Sequence, residues 1–257
     1  MTGNKIAVEV SRRGVATVTL NRPEKGNPFD AEMLRDIAAH FSAFARDSTI
    51  RVVVLRGSGK HFCVGADLEP ASHGDKGGPG LIDVCTAMDT LPKPTVAVVQ
   101  GACIGGGLAL AGCCDVLLAR DDAYFSIPEV RLGFAAAPLV PIFLPMIGAR
   151  SLGRFAQTGE RFYVEEALRI GLVHRTCGAS TLDDELATVL DNLLLGAPNA
   201  LSEMKAICSA LDGQPATPAV FEKLQAAFAR MRDSAEGLEG RAAFREKRRP
   251  SWYPPAE

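Results

Sequence analysis

The sequence has little of what metal centres, membranes and nucleic acids require. Its 257 residues include one tryptophan, three tyrosines and four histidines. His40, His61, His73 and His174 are scattered, and none makes a metal-ligand pair with a nearby carboxylate, so no metal centre is expected. With 28 basic and 30 acidic residues the net charge is -2, too small to attract nucleic acid or an anionic membrane at long range. No basic stretch leads into an apolar run in MTGNKIAVEV, and no segment reads as apolar for the length that crosses a bilayer. The expectation is a soluble, cytoplasmic chain with neither a nucleic acid nor a membrane as partner. The seven cysteines (Cys63, Cys85, Cys103, Cys113, Cys114, Cys177 and Cys208) are odd in number, lie in apolar surroundings and lack CxxC spacing. They read as buried, reduced thiols.

What is present suits one substantial core, since 47% of residues are hydrophobic and 23% charged. Ile6 to Val10 and Val15 to Leu20 flank the turn-prone SRRG and predict an opening hairpin. Asp30 can cap a helix whose apolar residues Met33, Leu34, Ile37, Ala38, Phe41 and Phe44 recur at helical spacing. RVVVLRG, TVAVVQG and DVLLAR are short and uniformly apolar, as buried strands of a parallel sheet are. Strands alternating with helices to about residue 130 predict βαβ units and an α/β fold around one core. Beyond Pro138 the pattern predicts helices near 138–147, 164–170, 180–195, 198–211, 218–232 and 234–247, with one strand near 171–175. ASHGDKGGPG (71–80) predicts a mobile loop bordering a site.

Two familiar ligand motifs fail on inspection. GSGK (57–60) follows a strand, but Val54 stands where a phosphate loop needs glycine and His61 where it needs Ser or Thr. GACIGGGLAL has Leu110 where a dinucleotide fingerprint has its last glycine. The short basic run EKRRPSW reads as a solvated helix end. Two other segments remain, each a strand followed by closely spaced small residues: HFCVGADL (61–68) and GACIGGGLALAGCCD (101–115). Small residues let the backbone approach a ligand, and a helix beginning there offers N–H groups without partners. Two such amides converging on one oxygen would stabilise an oxyanion by several kcal/mol in a dry site.

With NRPEKGN (21–27), YFSIPEVRLGF (124–134) and FREKRRPSW (244–252), these segments make the chain resemble the crotonase superfamily, the enoyl-CoA hydratase/isomerase family, over nearly its whole length. The resemblance implies a crotonase (ClpP-like) fold: a βαβ-repeat spiral core over 1–195 holding the acyl-CoA site, and a helical C-terminal trimerisation region over 196–257. It implies that the amides of Ala66 and Gly106 hold a thioester oxygen and that Glu129 is the acid/base at the acyl α or γ carbon. Coenzyme A, as part of the substrate rather than a cofactor, would lie along 24–26 and 62–68, contacting Lys25, Phe62, Val64, Asp67 and Leu68. Phe244 and Lys247 from a neighbouring subunit's C-terminal helix would close over the nucleotide, in a homotrimer or dimer of trimers.

The chain departs from the family pattern in two places. Hydratases carry a second glutamate two residues after GGG, where this chain has Ala109, and FAAAPLVPIFLP (134–145) replaces a glycine-rich stretch. The apolar replacement favours a hydrophobic or branched acyl group. Glu69, His73, Asp75 and Asp83 are titratable groups near the expected cleft, but a mobile loop is rich in such groups by chance and none is assigned a role. Hydration of a 2-enoyl-CoA in fatty acid metabolism leads the expected activities. Isomerisation of a 3-enoyl-CoA by Glu129 alone follows, and a non-catalytic acyl-CoA or RNA binder of the same fold is the reading from another class.

Overall fold

The computed structural model describes residues 4–69 and 78–255. Strands β1 (Ile6–Val10) and β2 (Val15–Leu20) form the expected antiparallel hairpin, with Ile6 opposite Leu20. Helix α1 (Ala31–Arg46) starts at Asp30, whose carboxylate accepts the Met33 N–H at 3.0 Å, and buries Met33, Leu34, Ile37, Phe41 and Phe44. The chain continues through β3 (Val52–Gly57), α2 (Leu81–Asp89), β4 (Thr95–Val99), β5 (Ala102–Ile104), α3 (Gly106–Gly112), β6 (Val116–Arg120) and β7 (Tyr124–Ser126). After two 3-10 turns come α4 (Val140–Thr158), β8 (Phe162–Tyr163), α5 (Val164–Arg169), β9 (Arg175–Cys177), α6 (Leu182–Leu195), α7 (Pro198–Leu211), α8 (Pro218–Arg232) and α9 (Ala235–Glu246).

The main sheet runs β1-β2-β3-β4-β6-β9 and is parallel except for β1. Its central strands are apolar on both faces because both are covered, and this divides the interior in two, where the sequence predicted one core. Val53, Leu55, Ala97 and Val99 point into the larger cluster with α1, α2 and α3. Val52, Val54, Val96 and Val98 point the other way, against Leu182, Leu186, Val189 and Leu194 of α6. Lys205 of α7 ties the C-terminal helices to this body, donating to Asp115 at 3.0 Å and to the Met88 carbonyl at 3.1 Å.

A second sheet, β5-β7-β8, was not anticipated, and it organises the site. The predicted strand near 171–175 lies instead at Arg175–Cys177, where it pairs with β6. The helix expected near 138–147 continues to Thr158 through a break at Gly148 (φ 71°, ψ 160°). The stretch Ala137–Thr158 also corrects the expectation that no segment has the length and hydropathy to cross a membrane, its mean hydropathy reaching 1.2. No span follows from that, because the break divides it and Phe143, Ile147, Leu152 and Phe155 turn into the core. Five cysteines are buried as expected, Cys113 is half-buried, and Cys208 on α7 is exposed, contrary to expectation. All seven are free.

Candidate active site

Short strands bring three distant motifs together. β5 pairs in parallel with β7, aligning Ile104 with Ser126, so GGG and PE leave the small sheet side by side. The Gly105 N–H donates to the Ser126 carbonyl at 2.9 Å. An isolated bridge between Cys63 and Cys103 lays HFCVGADL along β5, and a second between Phe29 and Ala66 fastens that segment to the start of α1. Burial pushes the Cys63 thiol up to about 12, so it packs as a neutral side chain.

A cavity of about 390 Å³ opens where these segments meet. Its wall includes Ala66, Gly105 and Gly106, Glu129, the buried Phe29 and Leu139, and an outer rim of Leu68, Ile82, Leu132 and Phe134. Among the described residues on the wall, Glu129 has the only polar side chain. Neither the Ala66 nor the Gly106 N–H donates to an acceptor among the described residues, which leaves both for a ligand oxygen. Helix α3 is only seven residues long, so its dipole adds little to these two local donors.

Glu129 opens the 3-10 turn Glu129–Leu132 directly after Pro128. Arg131 pins that turn to the end of α4, donating through Nε and Nη2 to the Thr158 carbonyl at 3.2 and 3.0 Å. The Glu129 carboxylate packs on the bare Cα of Gly105, where a Cβ would stand 2.5 Å from Oε1. Its Oε2 is buried without a hydrogen-bond partner among the described residues. Burial raises its pKa above the ordinary glutamate value of 4.5, opposed only by the residue's own N–H. If Glu129 acts as a base, activity is lost when it is protonated, so the acid limb of kcat/KM is expected above 4.5, activity falling as pH drops through the raised value. A pH–rate profile checks this; an acid limb at or below 4.5 would contradict it.

The other predicted residues divide. Val64 and Leu68 lie on the cavity wall. Lys25 is exposed and paired with Glu69 at 2.8 Å, a contact worth under about 1 kcal/mol that a phosphate could displace. The Phe62 ring is wholly enclosed in the core, because the segment runs beside β5, so any contact with coenzyme A there falls to its backbone. The Asp67 carboxylate pairs with Arg22 at 2.8 Å, the two side chains being 6% and 12% exposed. Asp67→Ala is expected to cost about 3 kcal/mol in urea unfolding, because it leaves the Arg22 charge buried without this partner. Phe244 is 85% exposed on α9 and Lys247 caps that helix, and neither lies on the cavity of its own chain.

Of the further titratable groups, Asp83 caps α2 by accepting the Gly80 N–H at 2.8 Å, while His73 and Asp75, with most of the 71–80 loop, lie outside the described residues. Ala109, at the place of the second glutamate, is wholly buried in α3. Sequence reasoning missed Phe29, Leu81 and Leu139 as wall residues, and nothing in their spacing distinguishes them from core.

Residues 11–254 match the family model for enoyl-CoA hydratase/isomerase. Carnitinyl-CoA dehydratase of Escherichia coli K12 is 32% identical over 256 residues, covering 96% of this chain and 98% of that protein. The Proteus mirabilis carnitinyl-CoA dehydratase is 31% identical over 252 residues, covering 94% and 96%. Among solved structures, Pseudomonas aeruginosa AtuE superposes with a TM-score of 0.90 at 34% identity over 97% of this chain and 100% of its own. An enoyl-CoA hydratase from Shewanella pealeana gives 0.88 at 31% identity over 98% and 97%. With its crotonase fold, two amides free for an oxygen and one desolvated carboxylate in an apolar cavity, the chain belongs to the enoyl-CoA hydratase/isomerase family and is an enzyme of the lyase or isomerase type acting on acyl-CoA thioesters.

Proposed function

We propose that the enzyme adds water reversibly to a 2-enoyl-CoA. The thioester oxygen sits between the Ala66 and Gly106 N–H groups, which stabilise the enolate as its charge develops. Glu129 takes a proton from water while the water oxygen bonds to the β carbon, and then returns that proton to the α carbon on the same face. One carboxylate thus closes the proton cycle. The observation that carries this reading is the Glu129 carboxylate, with one oxygen unpartnered, beside Gly105 and hence beside the Gly106 amide. Hydratase and dehydratase relatives support addition or removal of water.

Ala109 and the apolar wall favour a second reading, in which Glu129 removes a proton from C2 of a 3-enoyl-CoA and returns it to C4. The test is incubation with crotonyl-CoA, following enoyl-thioester absorbance and product mass. Absorbance loss with a gain of one water supports hydration. Failure to consume crotonyl-CoA, with conversion of a 3-enoyl-CoA to its 2-enoyl isomer at constant mass, replaces hydration with isomerisation.

The same reading includes a cytoplasmic enzyme without a resident cofactor and without nucleic acid or membrane as partner. It includes a homotrimer or dimer of trimers assembled through residues 196–257, for which the exposed Phe221, Phe228, Leu238 and Phe244 are the support. Lys25, Val64 and Leu68 would meet coenzyme A, with Phe244 and Lys247 of a neighbour closing over it.

A further inference from the structure

Phe29 touches both halves of the oxygen-binding pair. Its N–H donates to the Gly65 carbonyl at 3.0 Å and its carbonyl accepts the Asp67 N–H at 2.8 Å, gripping the backbone on either side of Ala66. Its ring presses on Gly106, where a Cβ would stand 2.6 Å from Cζ. Leu81 of α2 meets the same Cα, its Cδ2 lying 2.8 Å from where that Cβ would be. The grip on Ala66 is reinforced by Arg22, which donates to the Pro28 carbonyl and to the Asp67 carboxylate, both at 2.8 Å. Arg22 therefore bridges the residue before Phe29 and the residue after Ala66.

We infer that Phe29 is the positioning residue that sets the separation of the Ala66 and Gly106 amides, its backbone holding one donor and its ring spacing the other. The inference rests on the reading that these two amides bind the thioester oxygen. Two donors must converge on one atom, and their alignment matters most as charge builds on that oxygen. A ring that only walls the acyl group would act on binding; one that spaces the donors acts on turnover.

Phe29→Leu keeps the backbone bonds and shortens the contact with Gly106. It is expected to lower kcat at least about tenfold with KM within about threefold. The second readout is the infrared carbonyl stretch of butanoyl-CoA carrying ¹³C at its thioester carbon, a saturated probe that cannot be hydrated. On wild-type enzyme the band moves to lower wavenumber, and on Phe29→Leu most of that displacement is lost. Phe29→Met, whose longer chain reaches back toward Gly106, recovers part of both effects and serves for the same measurements if the leucine variant does not fold.

An unchanged kcat and carbonyl band in a folded variant would overturn the assignment. A raised KM with kcat preserved would overturn it too, leaving the ring as a wall. If bound probe shows no displacement on the wild-type enzyme, the oxygen-binding reading itself falls and the role of Phe29 with it.

Discussion

Glu129→Gln is expected to leave the enzyme folded and able to bind its thioester while lowering turnover about 10³-fold, within the range general acid–base catalysis supplies. Glutamine matches the volume of the side chain and can lie on the bare Cα of Gly105, but it cannot accept and return a proton. No other side chain on the described wall can substitute, because the rest are apolar or glycine. KM should stay within about threefold, since the proposed reading gives the contacts to the thioester oxygen to Ala66 and Gly106. Turnover within a few fold of wild type would remove Glu129 from the chemistry.

The same variant carries a stability signature. Burial raises the carboxyl pKa of Glu129 in the folded state, so between the ordinary value and the raised one the native state binds more protons than the unfolded state. Stability therefore falls as pH rises through that window, the reverse of an ion-paired carboxylate such as Asp30, which Lys5 helps to lower. Glu129→Gln removes the raised group, and urea unfolding at a series of pH values should show that decline flattened. An undiminished decline would mean that other groups produce it.

Gly105→Ala is expected to lower activity about 100-fold and to cost about 2 kcal/mol of stability. Gly105 adopts φ 53° and ψ -121°, a conformation that a Cβ strains, so the substitution disturbs the backbone where the chain turns into Gly106. The added methyl would also stand 2.5 Å from Glu129 Oε1, a distance that must grow by displacing the carboxylate or the loop. Both the Gly106 amide and the Glu129 carboxylate would then leave their places together. Kinetics with urea unfolding check this; a stable variant with full activity would show that the close approach is not needed. Gly106 offers a contrast, because its missing Cβ makes room for the ring of Phe29 and a methyl of Leu81 rather than for the Glu129 carboxylate.

Much of the frame was legible because local physics writes it into neighbouring residues. The hairpin is in the two β-rich runs around SRRG, α1 is in the spacing of Met33, Ile37, Phe41 and Phe44 behind Asp30, and the buried sheet is in RVVVLRG and TVAVVQG. The glycine-rich segments marked where backbone would be exposed, and the family resemblance pointed to Ala66, Gly106 and Glu129. What local pattern could not supply was the small sheet: β5 and β7 have three residues each, too few for a period to show, and their pairing joins residues more than twenty apart. Residues of one type also took opposite parts. Phe62 and Phe29 both follow turn-prone segments, yet one ring lies in the core and the other closes the cavity against Gly106.

Asp67 and Glu129 differ likewise in charge: Arg22 neutralises the first, while burial, with no partner for Oε2 among the described residues, disfavours ionisation of the second. By itself the sequence determined the strands, the helix faces and the chemical types available, because these depend on neighbours a few residues away. Tertiary structure decided that Glu129 Oε2 is buried with no hydrogen-bond partner among the described residues and that Ala66 and Gly106 line one cavity, because desolvation and hydrogen bonding depend on groups brought together from distant parts of the chain.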